Sequence, residues 1–220
     1  MTEIAVTMDP ARRRRLRLVI EFSALFVGVP LTLAFLLPPT AMFTVLGVMT
    51  GVGILLLHRT PGFDWAELLR GPVPWPVLLA ALALTAAVGV AGTLALFPHM
   101  LFFLPKQQPS LWLMILVLYP LLSALPQELL FRPLFFRRYG QLFPSVRIAV
   151  WANALLFSVA HLMYADPLVM GITFAGGWLF GWLYAVRGSF GAALLLHAVA
   201  GQILFTTGLG ILFYSGAVGR

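Results

Sequence analysis

Apolar residues run along this chain in seven stretches of roughly 20, the length that crosses a bilayer as a helix. They cover residues 16–37, 40–57, 76–98, 111–136, 147–164, 168–186 and 190–214. The breaks are Pro38-Pro39, the polar stretch His58 to Pro74, Pro98 to Ser110, Arg137 to Pro144, Asp166-Pro167 and Arg187-Gly188. Proline and glycine punctuate these joints as they do between helices generally. The fourth stretch is long, and Pro120 and Pro126 are expected to kink it. The pattern predicts an all-α, polytopic transmembrane helical bundle of about seven spans over residues 16–220, preceded by a basic cytoplasmic segment, residues 1–15.

Composition agrees. Hydrophobic residues make up 61% of the chain and charged residues 10%, with a mean hydropathy of +0.98. The absence of cysteine excludes disulfides and thiolate metal sites. A net charge of +7 raises nucleic acid as a partner, but the placement of the charges argues for topology instead. With the N-terminus in the cytoplasm, Arg12, Arg13, Arg14, Arg15, Arg17, Arg59, Arg70, Arg137, Arg138, Arg147 and Arg187 fall inside, against Lys106 and Arg220 outside. That bias predicts N-in, C-out, with lipid rather than nucleic acid facing the arginines. The arginine run followed by an apolar stretch also resembles an export signal. Residues 16–37 are longer than a signal core and lack a small-x-small exit, so they are read as a retained first span. Arg59 to Arg70 is expected to lie on the inner surface as an amphipathic helix. The compact chain suggests the inner (cytoplasmic) membrane of a bacterium.

Glu128, His161 and His197 stand inside apolar spans, where an ionisable side chain is costly and marks function. Counted from the nearest inner arginines at 1.5 Å per residue, Glu128 and His197 lie roughly 15 Å deep and His161 roughly 21 Å. Spans four and five should form an antiparallel hairpin that turns Glu128 toward His161. Each group also has a plainer reading. Arg132 is available to Glu128 at i+4, and a membrane histidine can simply bond a neighbouring helix. Asn153, Phe157 and His161 share one helix face, which makes Asn153 and Phe157 supporting candidates. Glu21 can pair with the arginine run, Asp166 reads as a cap, and His58 and His99 sit at solvated ends. Gly47 with Gly51, and Gly177 with Gly181, have the spacing that lets helices approach closely.

The segment Pro126-Gln127-Glu128-Leu129-Leu130-Phe131-Arg132 resembles the first motif, E-E-x-x-x-R, of the CPBP family. These are the CAAX-protease and bacteriocin-processing intramembrane endopeptidases. The second motif, F-x-x-x-H, matches Phe157 to His161. The third, H-x-x-x-N/D, matches at His197. The resemblance covers about residues 110–205. It implies a helical bundle with a cavity open to the cytoplasmic side, in which a glutamate activates water and histidines complete the site. Two positions depart from the pattern. Gln127 replaces the first glutamate and cannot take a proton, and Gly201, beside Gln202, replaces the last polar residue.

The expected activity is hydrolysis of a peptide bond in a membrane-associated or lipidated protein or peptide. Glu128 activates water, His161 and His197 complete the site, and Gln127 donates through its amide from an adjacent helix face. Arg132, Phe157 and Asn153 support them. His161, His197 and Glu128 would also make a legitimate Zn²⁺ set, so the cofactor is either none or Zn²⁺. The alternatives are an inactive, immunity-type relative that binds a membrane partner or peptide, and a small transporter or channel.

Overall fold

The computed structural model describes residues 9–214. Residues 1–8 of the basic segment, and Arg220, lie outside the described residues. Seven helices are long and apolar enough to span a membrane: α1 Pro10–Phe35, α2 Pro39–His58, α3 Trp75–Leu96, α4 Pro109–Arg138, α5 Val146–Tyr164, α6 Pro167–Ala185 and α7 Phe190–Thr207. Among the described residues there is no strand. The chain is an all-α polytopic bundle.

Helix starts follow local chemistry. Asp9 accepts from the Ala11 amide at 3.1 Å, and Pro10 occupies the first turn, where a missing N–H costs nothing. The helix therefore begins ahead of the apolar run and carries exposed Arg12 to Arg15 on its first turns. Asp166 caps α6 by accepting from Leu168 and Val169 at 2.7 and 3.1 Å. At the other end of the chain α7 stops earlier than expected, because Gly208 takes φ +104°. A Cβ there would strike the Met100 carbonyl, so only glycine allows the chain to turn against the α3–α4 connection.

Residues 59–70 correct an expectation. They form one five-residue 3₁₀ turn, Trp65–Leu69, capped by Asp64, and no amphipathic α-helix. Pro61 and the positive φ of Gly62, +74°, break the helical ladder before it can lengthen. Beyond the turn, the Gly71 backbone lies against the Gly188 carbonyl with no room for a Cβ.

Packing centres on α4. Phe26 of α1 stands nearly perpendicular to Phe131, Phe135 and Tyr139, with ring centroids 5.3, 5.4 and 5.8 Å away, the edge-to-face geometry aromatic quadrupoles favour. Glu21 pairs with Arg17 as expected, and also reaches Arg138 at 2.7 Å, tying α1 to the far end of α4. Helix α7 lies antiparallel to α4 and is joined to it at three levels. Trp112 donates to Thr206 at 2.9 Å, Gln202 to the Leu116 carbonyl at 2.7 Å, and His197 bonds Glu128. The Leu116 carbonyl lacks its usual i+4 donor, because Pro120 has no N–H. Gln202 supplies one.

The two glycine pairs behave differently. A Cβ at Gly177 would lie 3.0 Å from Phe157 and 3.2 Å from the Ala154 backbone, so α6 does sit close on α5. Gly47 and Gly51 meet nothing within 4 Å, and Gly53 makes the close contact of α2, against Leu130. Gly177→Val is thus expected to lower stability by about 1–3 kcal/mol through overpacking, whereas Gly47→Val leaves it unchanged. Thermal unfolding of the two variants in detergent checks this, and equal midpoints would refute the packing account.

Candidate active site

Helix α4 is not a uniform α-helix. Pro120–Ala124 and Leu130–Arg138 are π-helical, with Pro133 inside the second, and Leu125–Leu129 between them is α. Wide π turns are common at functional sites because they re-aim side chains. Here they flank Gln127 and Glu128, and the second contains Arg132.

Glu128 and Arg132 are both fully buried. Glu128 Oε2 accepts from Arg132 Nε at 2.9 Å, and Oε1 from Arg132 Nη2 at 3.2 Å. Arg132 Nη1 donates to Asn153 Oδ1 on α5, and Asn153 Nδ2 donates to the Phe131 carbonyl at 2.8 Å. The guanidinium lies between the rings of Phe157 and Phe180, 5.3 and 5.6 Å from their centroids. Gly181 lets α6 approach, since a Cβ there would stand 3.1 Å from Asn153 Oδ1. Every charged atom is thus paired, as burial demands.

His197 completes the cluster. Its Nδ1 donates to Glu128 Oε1 at 2.9 Å. Its ring stacks on Phe180 at 4.9 Å and 12°, and meets Phe157 edge-on at 5.6 Å. His161 lies just beyond the last α-helical turn of α5, where its Nδ1 donates to the Phe157 carbonyl at 2.7 Å. Both partners are acceptors, so Nδ1 carries a proton in each ring and Nε2 is the nitrogen left without a protein partner. Among the described residues, neither Nε2 has a partner. The expected facing of Glu128 on His161 does not form a bond; α7, not α5, brings the histidine that Glu128 holds.

A cavity of about 940 Å³ runs beside this cluster. Its wall is mostly aliphatic and aromatic, with a polar corner of Tyr119, Ser123, Gln127, His161 and His197. Glu128 and Arg132 do not line it. Adjacent residues on a helix point about 100° apart, and it is Gln127, not Glu128, whose direction is the cavity's. The Gln127 amide donates to Ser123 Oγ at 2.9 Å, while its Oε1 is buried with no partner. Met100, Gln108 and Tyr214 also line the cavity, at the end of the bundle away from Arg137 and Arg138.

Residues 109–213 match the type II CAAX prenyl endopeptidase Rce1-like family. Over that segment the chain is similar to the CPBP/CAAX proteases. No curated protein and no solved structure matches it. The matched segment runs from the first turn of α4 to the 3₁₀ turn after α7, and so contains every residue of the polar corner.

The same geometry bears on a metal. Both oxygens of Glu128 are already occupied by Arg132 and His197, and a guanidinium beside them opposes a second cation. Among the described residues, no three His, Cys, Asp or Glu side chains group as ligands. Tyr119 and Ser123 are members of the corner that the motifs do not reveal. Their signal is spacing alone, since Tyr119, Ser123 and Gln127 recur every fourth residue on one helix face.

Removing one partner from a buried ion pair leaves an uncompensated charge. Arg132→Met is expected to lose ~3–5 kcal/mol of stability, and adding Glu128→Leu to recover most of it. Thermal unfolding in detergent reads both. A single variant as stable as the wild type would mean that the pair carries no such constraint.

Proposed function

We propose that this chain is an intramembrane endopeptidase, hydrolysing a peptide bond in a membrane-associated or lipidated substrate. The observation that carries the reading is the pairing of two anchored histidines, each with a free Nε2, on the wall of an apolar cavity. Such a cavity takes a lipid chain or an apolar peptide segment, and its few polar groups fix one bond near the histidines.

The two rings have different backers and suit different tasks. His161 is held by a neutral carbonyl, which leaves Nε2 as an acceptor for a water proton. The partnerless Gln127 Oε1 accepts the water's other hydrogen and aims its oxygen. As the oxygen attacks the substrate carbonyl, His161 takes the proton. His197 is held by a carboxylate through Nδ1, and in this scheme its Nε2–H donates to the oxyanion. Collapse of the tetrahedral intermediate passes the proton from His161 to the leaving amine. In this scheme Glu128 acts through His197, and Gln127 serves as an acceptor where the family's glutamate would be a base. No step requires a metal.

His161→Ala is expected to lower the cleavage rate about 10²–10⁴-fold, and Glu128→Ala to abolish cleavage by releasing His197. The measurement compares protein termini in membranes from cells making equal amounts of wild type and each variant. Should the same termini appear in all three, the non-catalytic, peptide-binding reading favoured by Gln127 and Gly201 takes over.

With the N-terminus inside, as expected from the charge bias, the end of the cavity lined by Met100 and Tyr214 faces the outer side. The resemblance implies the opposite opening. A chain without cysteine suits single-cysteine labelling. With an impermeant maleimide on intact cells, Leu101→Cys is expected to react and Gly140→Cys to stay unlabelled. The reverse pattern would overturn N-in, C-out and open the site to the cytoplasm.

A further inference from the structure

Gly201 leaves a gap in the family's last motif, one helical turn beyond His197, and the structure shows what occupies it. A Cβ at Gly201 would fall against Cε1, Cζ and the hydroxyl oxygen of Tyr119. The phenol thus lies where a side chain at position 201 would begin. Its ring stands edge-on to His197 at 6.1 Å and to Phe205 at 5.6 Å, and the residue lines the cavity with both histidines. Among the described residues, its hydroxyl has no hydrogen-bond partner. The neighbouring amide, Gln202, is not available for the task, because it is bound to the Leu116 carbonyl at 2.7 Å.

We propose that Tyr119 is a catalytic residue whose O–H donates to the oxyanion alongside His197 Nε2–H, in place of the polar side chain that position 201 lacks. This rests on the endopeptidase reading above. When water adds to the substrate carbonyl, the C–O π bond opens and its electrons move to oxygen. The O–H of Tyr119 points a hydrogen bond at that charge without giving up its proton, so His161 remains the group that carries the proton to the leaving amine. Position 201 is glycine because the ring that supplies the donor fills its space. The donor has moved from α7 to α4.

The test follows the release of new protein termini over time in membranes containing wild type, His161→Ala, Tyr119→Phe, Tyr119→Ala, or Tyr119→Ala with Gly201→Asn. Tyr119→Phe keeps the ring and removes only the hydroxyl. It is expected to slow release about 10²–10³-fold, the range for loss of one oxyanion donor. Gly201→Asn, placed into the space that Tyr119→Ala vacates, is expected to restore at least ~10-fold of that rate. Termini released by Tyr119→Phe at the wild-type rate, but not by His161→Ala, would overturn this proposal and leave the endopeptidase reading standing. Wild type and His161→Ala releasing identical termini would overturn both. If Tyr119→Phe fails to accumulate, the double variant decides: rescue over Tyr119→Ala supports the donor role, and its absence refutes it.

Discussion

A guanidinium in the middle of a membrane protein has to be paired, and the interior of this bundle is built on that requirement. Arg132 has no solvent, so it takes both oxygens of Glu128 one helical turn away, then Asn153 from α5, then the faces of Phe157 and Phe180. Asn153 and Phe157 draw α5 to α4, and Phe180 draws α6. Glu128 in turn holds His197 of α7 by one ring nitrogen. The charge pair that organises packing therefore also sets the direction of a histidine in the site. On the proposed reading, stability and chemistry share the same atoms, and a change at either residue disturbs both.

Proline gives α4 a second constraint. In lipid every backbone polar group needs a partner within the protein, yet Pro120, Pro126 and Pro133 each lack a donor. The helix answers with π turns and with Gln202, which reaches from α7 to the Leu116 carbonyl. These repairs have a functional side. They place Tyr119, Ser123 and Gln127 on the cavity wall while Glu128 and Arg132 stay behind it. A polar corner in an otherwise oily cavity follows from one irregular helix meeting one anchored by histidine.

On the proposed reading, hydrolysis takes place where bulk water is scarce. Water has to be held by specific acceptors rather than drawn from bulk, and the free nitrogen of His161 with the unpaired oxygen of Gln127 offers two. Developing charge has to be met by donors already in position, because solvent cannot reorganise to meet it. His197 is fixed by a carboxylate and by stacking on Phe180, and so loses little freedom when it donates. On that reading Gln127 and Gly201 mark a redistribution of roles within one corner.

The bundle itself was legible in the sequence. An apolar run of about 20 residues has few alternatives to a membrane helix, and prolines and arginines mark where each one ends. The Glu128–Arg132 pair was legible too, because an i, i+4 contact is decided within one helix. Other features needed the tertiary structure. Residues 59–70 look amphipathic by composition, yet Pro61 and Gly62 confine them to one turn. Glu128 meets His197, 69 positions away, rather than His161 on the next helix, because the order of helices in space is a packing outcome with no local signal. Whether Gln127 or Glu128 faces the cavity turns on a rotation of about 100°, which π turns in α4 can shift. Tyr119 beside Gly201 depends on two helices approaching within a ring's thickness. Local spacing and hydropathy decide what lies within a helix; contacts between helices arise from shape and charge matched across surfaces that the linear chain does not bring together.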